Sequence, residues 1–178
     1  MKINNFKRGN LAKKFAKMGF TKGAEIGVAD GRFSEYLCKT IPNLELICVD
    51  TWEPYSENRW YLGYSRRDNN RPNEELARER MAPYKAKMIK GFSMNAARDI
   101  ENESLDFVYI DANHAFDFVI QDIIEWSKKV KTGGIVSGHD YYSFRHAGVK
   151  EAVNIYAKIH NKEISTTDEK ESSWWWVK

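Results

Sequence analysis

LDFVYIDANHAFDFVIQDIIEWSKKVKTGGIVSGHD, residues 105–140, reads as two apolar runs joined by an amphipathic one. The first, Leu105–Ile110, is nearly continuous in strand formers, as in a strand buried on both faces. Asp111 stops it, and His114 follows three residues later. Phe116, Val119, Ile120, Ile123, Ile124 and Val130 then recur at i, i+3, i+4 and i+7, the spacing of one helix face. The segment KTGG, residues 131–134, predicts the end of that helix, because glycine accepts the left-handed C-cap. The second run, GIVSGHD, is again strand-like and ends in His139 and Asp140. Strand, helix and strand in this order predict a parallel pair joined by a right-handed crossover.

The same alternation continues on both sides. Upstream, AEIGV (24–28) is a strand, RFSEYLCKT (32–40) a helix and LELICVD (44–50) a second strand ending in Asp50. AKMIKGFS supplies a third strand, and SMNAARDI a short helix after it. Downstream, GVKEAVNIYAKIH predicts another helix through Val149, Val153 and Tyr156. The tail KEISTTDEKESSWWWVK differs: two β-like runs flank a polar turn with no helix between, which predicts an antiparallel hairpin. The fold class is therefore α/β, a doubly wound, Rossmann-like sheet. In a strand, Trp174 and Trp176 would share one face and Trp175 the other. Packing on both faces explains the run; a sugar platform or a homodimer contact are the alternatives.

A single domain over residues 1–178 is expected from length and composition. Residues 1–20 predict a helical segment with Phe6, Leu11, Phe15 and Met18 as an apolar stripe and the basic residues on a solvated face. Residues 52–85, rich in aromatics, Arg, Asn and Pro, are longer than an ordinary connection and are expected to form a lid-like insertion. Within them NEELARERM predicts a helix capped by Asn73.

The net charge of +3 permits an acidic ligand without demanding nucleic acid. The two cysteines, Cys38 and Cys48, sit in apolar stretches outside any CxxC pair, so reduced thiols and a cytoplasmic setting are expected. No apolar run approaches the length of a membrane span.

Ligands of open α/β sheets bind outside the carboxyl ends of the strands, and the chemistry-bearing residues fall there. Glu25, Gly27, Asp30 and Gly31 follow the first strand, where glycine brings backbone close to a ligand. Asp50, ending the second, could take both ribose hydroxyls of a nucleoside or simply cap a turn. The glycines do not form GxGxxG, which disfavours a nicotinamide oxidoreductase.

These stretches, AEIGVADGRFSEYL, LICVDTW, YIDANHAFDFVIQDIIEWSKKVKTGGIVSGHDY and GVKEAV, resemble class I S-adenosylmethionine-dependent methyltransferases, most closely the sugar and macrolide O-methyltransferase branch. The resemblance implies a seven-stranded, mostly parallel sheet whose last strand is antiparallel. It implies that Glu25, Gly27 and Gly31 shape the site for the methionine part of S-adenosylmethionine. Asp50 would hold the ribose, with Thr51 and Trp52 beside it and Ser93 near the adenine. Ala29 departs from the pattern, standing where many members carry a glycine.

In metal-dependent relatives, acids matching Asp111 and Asp140 hold Mg²⁺, an ion that prefers oxygen ligands. His114 matches a general base and His139 is a second catalytic candidate; Asp111 also borders the cofactor. Helix capping by the two acids and structural hydrogen bonding by the histidines are the plain alternatives. His146 and His160 are read as peripheral. The expected activity is O-methylation of a hydroxyl on a sugar, glycan or small metabolite, assisted by Mg²⁺ and a histidine base. An RNA or nucleotide methyltransferase and a cofactor-binding pseudo-enzyme are the alternatives. Neither Asn-Pro-Pro-Tyr nor Asp-Pro-Pro-Tyr is present, which weighs against base methylation of nucleic acid.

Overall fold

The computed structural model describes residues 5–53, 73–143 and 147–178. Among them, six helices alternate with one seven-stranded sheet of order β3-β2-β1-β4-β5-β7-β6. The parallel strands are β1 (Lys22–Ile26), β2 (Glu45–Asp50), β3 (Ala86–Lys90), β4 (Leu105–Ile110) and β5 (Val130–Gly138). The C-terminal β7 (Trp174–Val177) inserts between β5 and the two-residue β6 (Ser165–Thr166), antiparallel to both. The order reverses between β1 and β4, where crossovers leave in opposite directions and open a crevice.

The helices cover both faces, so each strand contributes alternately to two cores. On one side Ala24, Ile26, Val108 and Ile110 pack with α5 (Phe116–Lys129), α6 (Val149–Ile159) and the short α4 (Ser93–Arg98). On the other, Leu46, Cys48, Phe107 and Tyr109 pack with α1 (Arg8–Lys17), α2 (Arg32–Thr40) and α3 (Asn73–Met81). The tryptophan run follows the two-residue period: Trp174 and Trp176 enter the first core, and Trp175 enters the second.

Local departures from the sequence reading have physical causes. Helix α5 ends at Lys129, and Val130 is the first residue of β5, paired with Leu105. The left-handed glycine, Gly133 (φ 82°), bends the strand's entry rather than capping the helix. Ile124 lies at the edge of the helical stripe, 39% exposed, and Met18 similarly leaves the α1 stripe. Helix α3 is described from Asn73 onward, and its Ala77 and Met81 are buried, so this part of the 52–85 insertion belongs to the packed layer. The rest of that expected lid, residues 54–72, lies outside the described residues, as does His146. No helix among the described residues is long and apolar enough to cross a membrane.

Candidate active site

The β1–α2 turn cannot carry a side chain at Gly27. Its φ is 90°, and a Cβ there would stand 2.0 Å from the Asp111 carbonyl oxygen. The absence of a Cβ lets the turn lie against the end of β4. Asp50 at the end of β2 braces the turn from the other side. Its Oδ2 accepts the Val28 and Ala29 amides at 2.8 and 2.9 Å, and its Oδ1 accepts the Trp52 amide at 2.7 Å. Asp50 thus performs the turn-capping role that the sequence left open. A carboxylate offers about four lone-pair positions, so three amides leave acceptor capacity for a hydroxyl. Ala29 adopts the left-handed conformation (φ 49°) that glycine would accept without cost.

Beyond this turn a cleft of about 280 Å³ opens over β1, β2 and β4. Gly27, Asp50, Thr51 and Ser93 line it, as do Phe92, Asn113, Phe118, Gln121 and Asp122. Asp111 lies outside it, just past the end of β4, and three further predicted cofactor residues lie elsewhere. Glu25 is buried beneath α2 and accepts a hydrogen bond from the Ser34 hydroxyl; burial pushes its carboxyl up to about 8. Gly31 (φ 80°) is the N-cap of α2 and packs on Ala77. Trp52 folds back, its indole donating to the Ala29 carbonyl at 2.8 Å. These three therefore act on the loop's shape from behind it.

Asp122 was missed in the sequence, although an acid inside the α5 apolar stripe is itself a signal. It accepts a hydrogen bond from the Ser93 hydroxyl, which in turn accepts the Trp126 indole N–H at 3.1 Å. Burial pushes the Asp122 carboxyl up to about 7, against the stabilising bond from Ser93.

Alongside, the ends of β4 and β5 bring four predicted residues together. Adjacent residues of a straight strand face opposite ways, but Asp140 is left-handed (φ 58°), which turns its carboxylate back beside His139. His139 Nδ1 lies 3.3 Å from Asp140 Oδ1 and 3.9 Å from Asp111 Oδ1. His114 Nε2 lies 3.0 Å from Asp140 Oδ2. Burial disfavours the Asp140 charge, yet the bonds from His114 and His139 outweigh it and hold the carboxyl well below the usual range. Burial likewise opposes the His114 cation, but the bond to Asp140 prevails and raises its pKa.

Arg8 completes the cluster from α1, 103 residues distant in sequence. Its guanidinium donates to Asp111 Oδ2 at 2.8 Å and lies over the Phe33 ring, 3.8 Å from the centroid. With Leu11, Ala12 and Phe15 it falls on the buried face of α1, a cation within an apolar stripe. A second, small cleft lined by Asp111, His114 and His139 meets the first at Ala112 and Asn113, which border both. Oxygen and imidazole donors from Asp111, Asp140 and His139 converge within 4.8 Å of one another, a donor set that fits a divalent cation.

Comparison with known proteins gives the same architecture. The chain superimposes on cofactor-bound Rv0187 from MTB with a TM-score of 0.68 at 12% identity, covering 97% of this chain and 83% of that one. The O-methyltransferase from Bacillus cereus in complex with SAH gives 0.65 at 16%, covering 96% and 80%. The O-methyltransferase TomG from Streptomyces achromogenes, involved in tomaymycin synthesis and in complex with SAM, gives 0.65 at 16%, covering 96% and 79%. No curated protein sequence matches the chain. The family model described as a methyltransferase domain matches residues 24–141, from β1 through the end of β5. The chain belongs to this methyltransferase family and has the fold of the class I S-adenosylmethionine-dependent enzymes.

Proposed function

We propose that the protein transfers a methyl group from S-adenosylmethionine to a hydroxyl of a sugar, glycan or small metabolite. The observation that carries this reading is the junction of the two clefts. A nucleoside-sized cleft over Gly27, Asp50 and Ser93 runs into a cluster of Asp111, His114, His139 and Asp140 suited to handling a hydroxyl proton.

In this reading Gly27 admits the methionine end of the donor, and Asp50 meets the ribose while still tying the turn. Phe92, 59% exposed at the cleft mouth, and Phe118 offer apolar surface to the adenine. S-adenosylmethionine supplies an electrophilic methyl on sulfur, which leaves as the thioether S-adenosylhomocysteine. His114 accepts the hydroxyl proton as the acceptor oxygen attacks that carbon in line, and Asp140 orients the ring and stabilises the imidazolium that results. A divalent cation between Asp111 and Asp140, Mg²⁺ if carboxylates were its only ligands, would lower the pKa of the acceptor hydroxyl.

A methyl-donor turnover screen over glycans, nucleotide sugars and phenols, with and without EDTA, tests the reading. Turnover on a hydroxyl acceptor that falls at least 100-fold in His114→Ala, with S-adenosylhomocysteine affinity retained, is the expected result. Full turnover in that variant removes the general base. An acceptor methylated on nitrogen or carbon overturns the oxygen assignment.

A further inference from the structure

Asp111 and Asp140 each present one carboxylate oxygen inward and have the other held by a protein donor. Arg8 takes Asp111 Oδ2 at 2.8 Å, and His114 takes Asp140 Oδ2 at 3.0 Å. The inward oxygens, Oδ1 of both, face the same atom, His139 Nδ1. Anchored outer oxygens of this kind orient ligating carboxylates in metal sites. Ligands about 2.0–2.2 Å from one ion and at right angles to each other lie about 3 Å apart. The 3.3 Å separation already meets this, and the 3.9 Å one needs a closure of about 1 Å.

We propose that His139 is a metal ligand with Asp111 and Asp140, and that the site takes a first-row transition ion such as Mn²⁺ or Co²⁺ in preference to Mg²⁺. The proposal rests on the same reading of the strand ends as the proposed function, and it changes one assignment within it. Two carboxylates alone suit Mg²⁺, a hard ion that demands oxygen and keeps its waters. An imidazole nitrogen in the set shifts the preference, because imidazole binds later first-row ions far better than it binds Mg²⁺. His139 then holds the ion, which leaves proton removal to His114. Its backbone is placed for this: the His139 amide donates to the Ile110 carbonyl at 3.0 Å, fixing the end of β5 against β4. A plain hydrogen-bonded cluster is the competing account, with His139 and Arg8 serving only to pair the two carboxylates.

The test is binding of each metal alone to the purified full chain, followed by calorimetry and, for Co²⁺, by its visible absorption. Mn²⁺ and Co²⁺ are expected to bind at least tenfold more tightly than Mg²⁺, with Co²⁺ bands that mark a nitrogen ligand. His139→Ala should lower Co²⁺ affinity at least tenfold and change Mg²⁺ affinity by less than about threefold. His139→Asp, which replaces the nitrogen donor by oxygen, should narrow the Co²⁺ preference over Mg²⁺. Equal or tighter Mg²⁺ binding by the unaltered chain, or no divalent binding at all, overturns the proposal without any variant having to fold. Thermal stabilisation by S-adenosylhomocysteine, measured on the same samples, reports on the methyltransferase reading separately, so failure of one is not failure of the other.

Discussion

At Gly27 and Asp50 the requirements of folding and of ligand binding coincide. Gly27→Ala would place a methyl group 2.0 Å from the Asp111 carbonyl oxygen on a backbone with φ of 90°. Steric overlap and left-handed strain together should cost roughly 2–5 kcal/mol. Urea unfolding should register that loss, and S-adenosylhomocysteine binding should fall at least tenfold as the turn is pushed from β4. Asp50→Asn probes a different term. With Oδ1 and Oδ2 both accepting backbone amides, an amide side chain must turn its own donor toward an N–H. A donor set against a donor should cost roughly 1–3 kcal/mol and weaken nucleoside binding as well. A variant that melts like the parent would show that the turn does not depend on this carboxylate.

At the scale of elements, helix α1 is part of the core rather than a decoration. Phe15 is fully buried and stacks on Phe107, with centroids 4.4 Å apart. Phe15→Ala should therefore destabilise the protein by about 3–5 kcal/mol in denaturant unfolding. The start of α1 and the chain before it are tied to the hairpin turn, since the Asp168 amide donates to the Phe6 carbonyl and the Arg8 amide donates to the Glu169 carboxylate. Helices and strands of this kind were legible beforehand because their signals are local: stripes of period 3.6, apolar runs and acids at strand ends. The strand-end positions of Asp50, Asp111, His114, His139 and Asp140 were legible for the same reason. The position of Arg8 on Asp111 was not, because it depends on how α1 docks across the sheet. The roles of Glu25 and Trp52 were also hidden, since sequence spacing does not reveal on which side of a turn a side chain folds. Asp122 was half-visible: its place in an apolar stripe is in the sequence, but its partner Ser93 comes from another helix.

Across the whole molecule, the buried acids set the pH dependence. Glu25 beneath α2 and Asp122 on α5 occupy opposite faces of the sheet, and burial raises them to about 8 and about 7. A carboxyl with a raised folded-state pKa binds its proton more tightly in the native protein than in the unfolded chain. Its contribution is intact below the ordinary value near pH 4 and is lost as the pH climbs through the folded value. Asp106 has the opposite sign. Despite burial, the Lys131 ion pair and the Thr21 and Lys22 amides lower its pKa, so its contribution is lost on acidification. The melting temperature should therefore fall between about pH 5 and pH 8.5, with both carboxyls and the raised imidazole of His114 contributing. Glu25→Gln and Asp122→Asn keep an acceptor oxygen for Ser34 and Ser93 and remove the charge that burial disfavours. Each should flatten the decline and at pH 8.5 stabilise the protein by on the order of 2 kcal/mol, roughly 4–8 °C in Tm for a chain of this size. The two increments should add, because the sheet separates the sites and they share no hydrogen-bond partner. A parent whose melting temperature holds level or climbs over that range would mean that the two carboxyls are hydrated in solution.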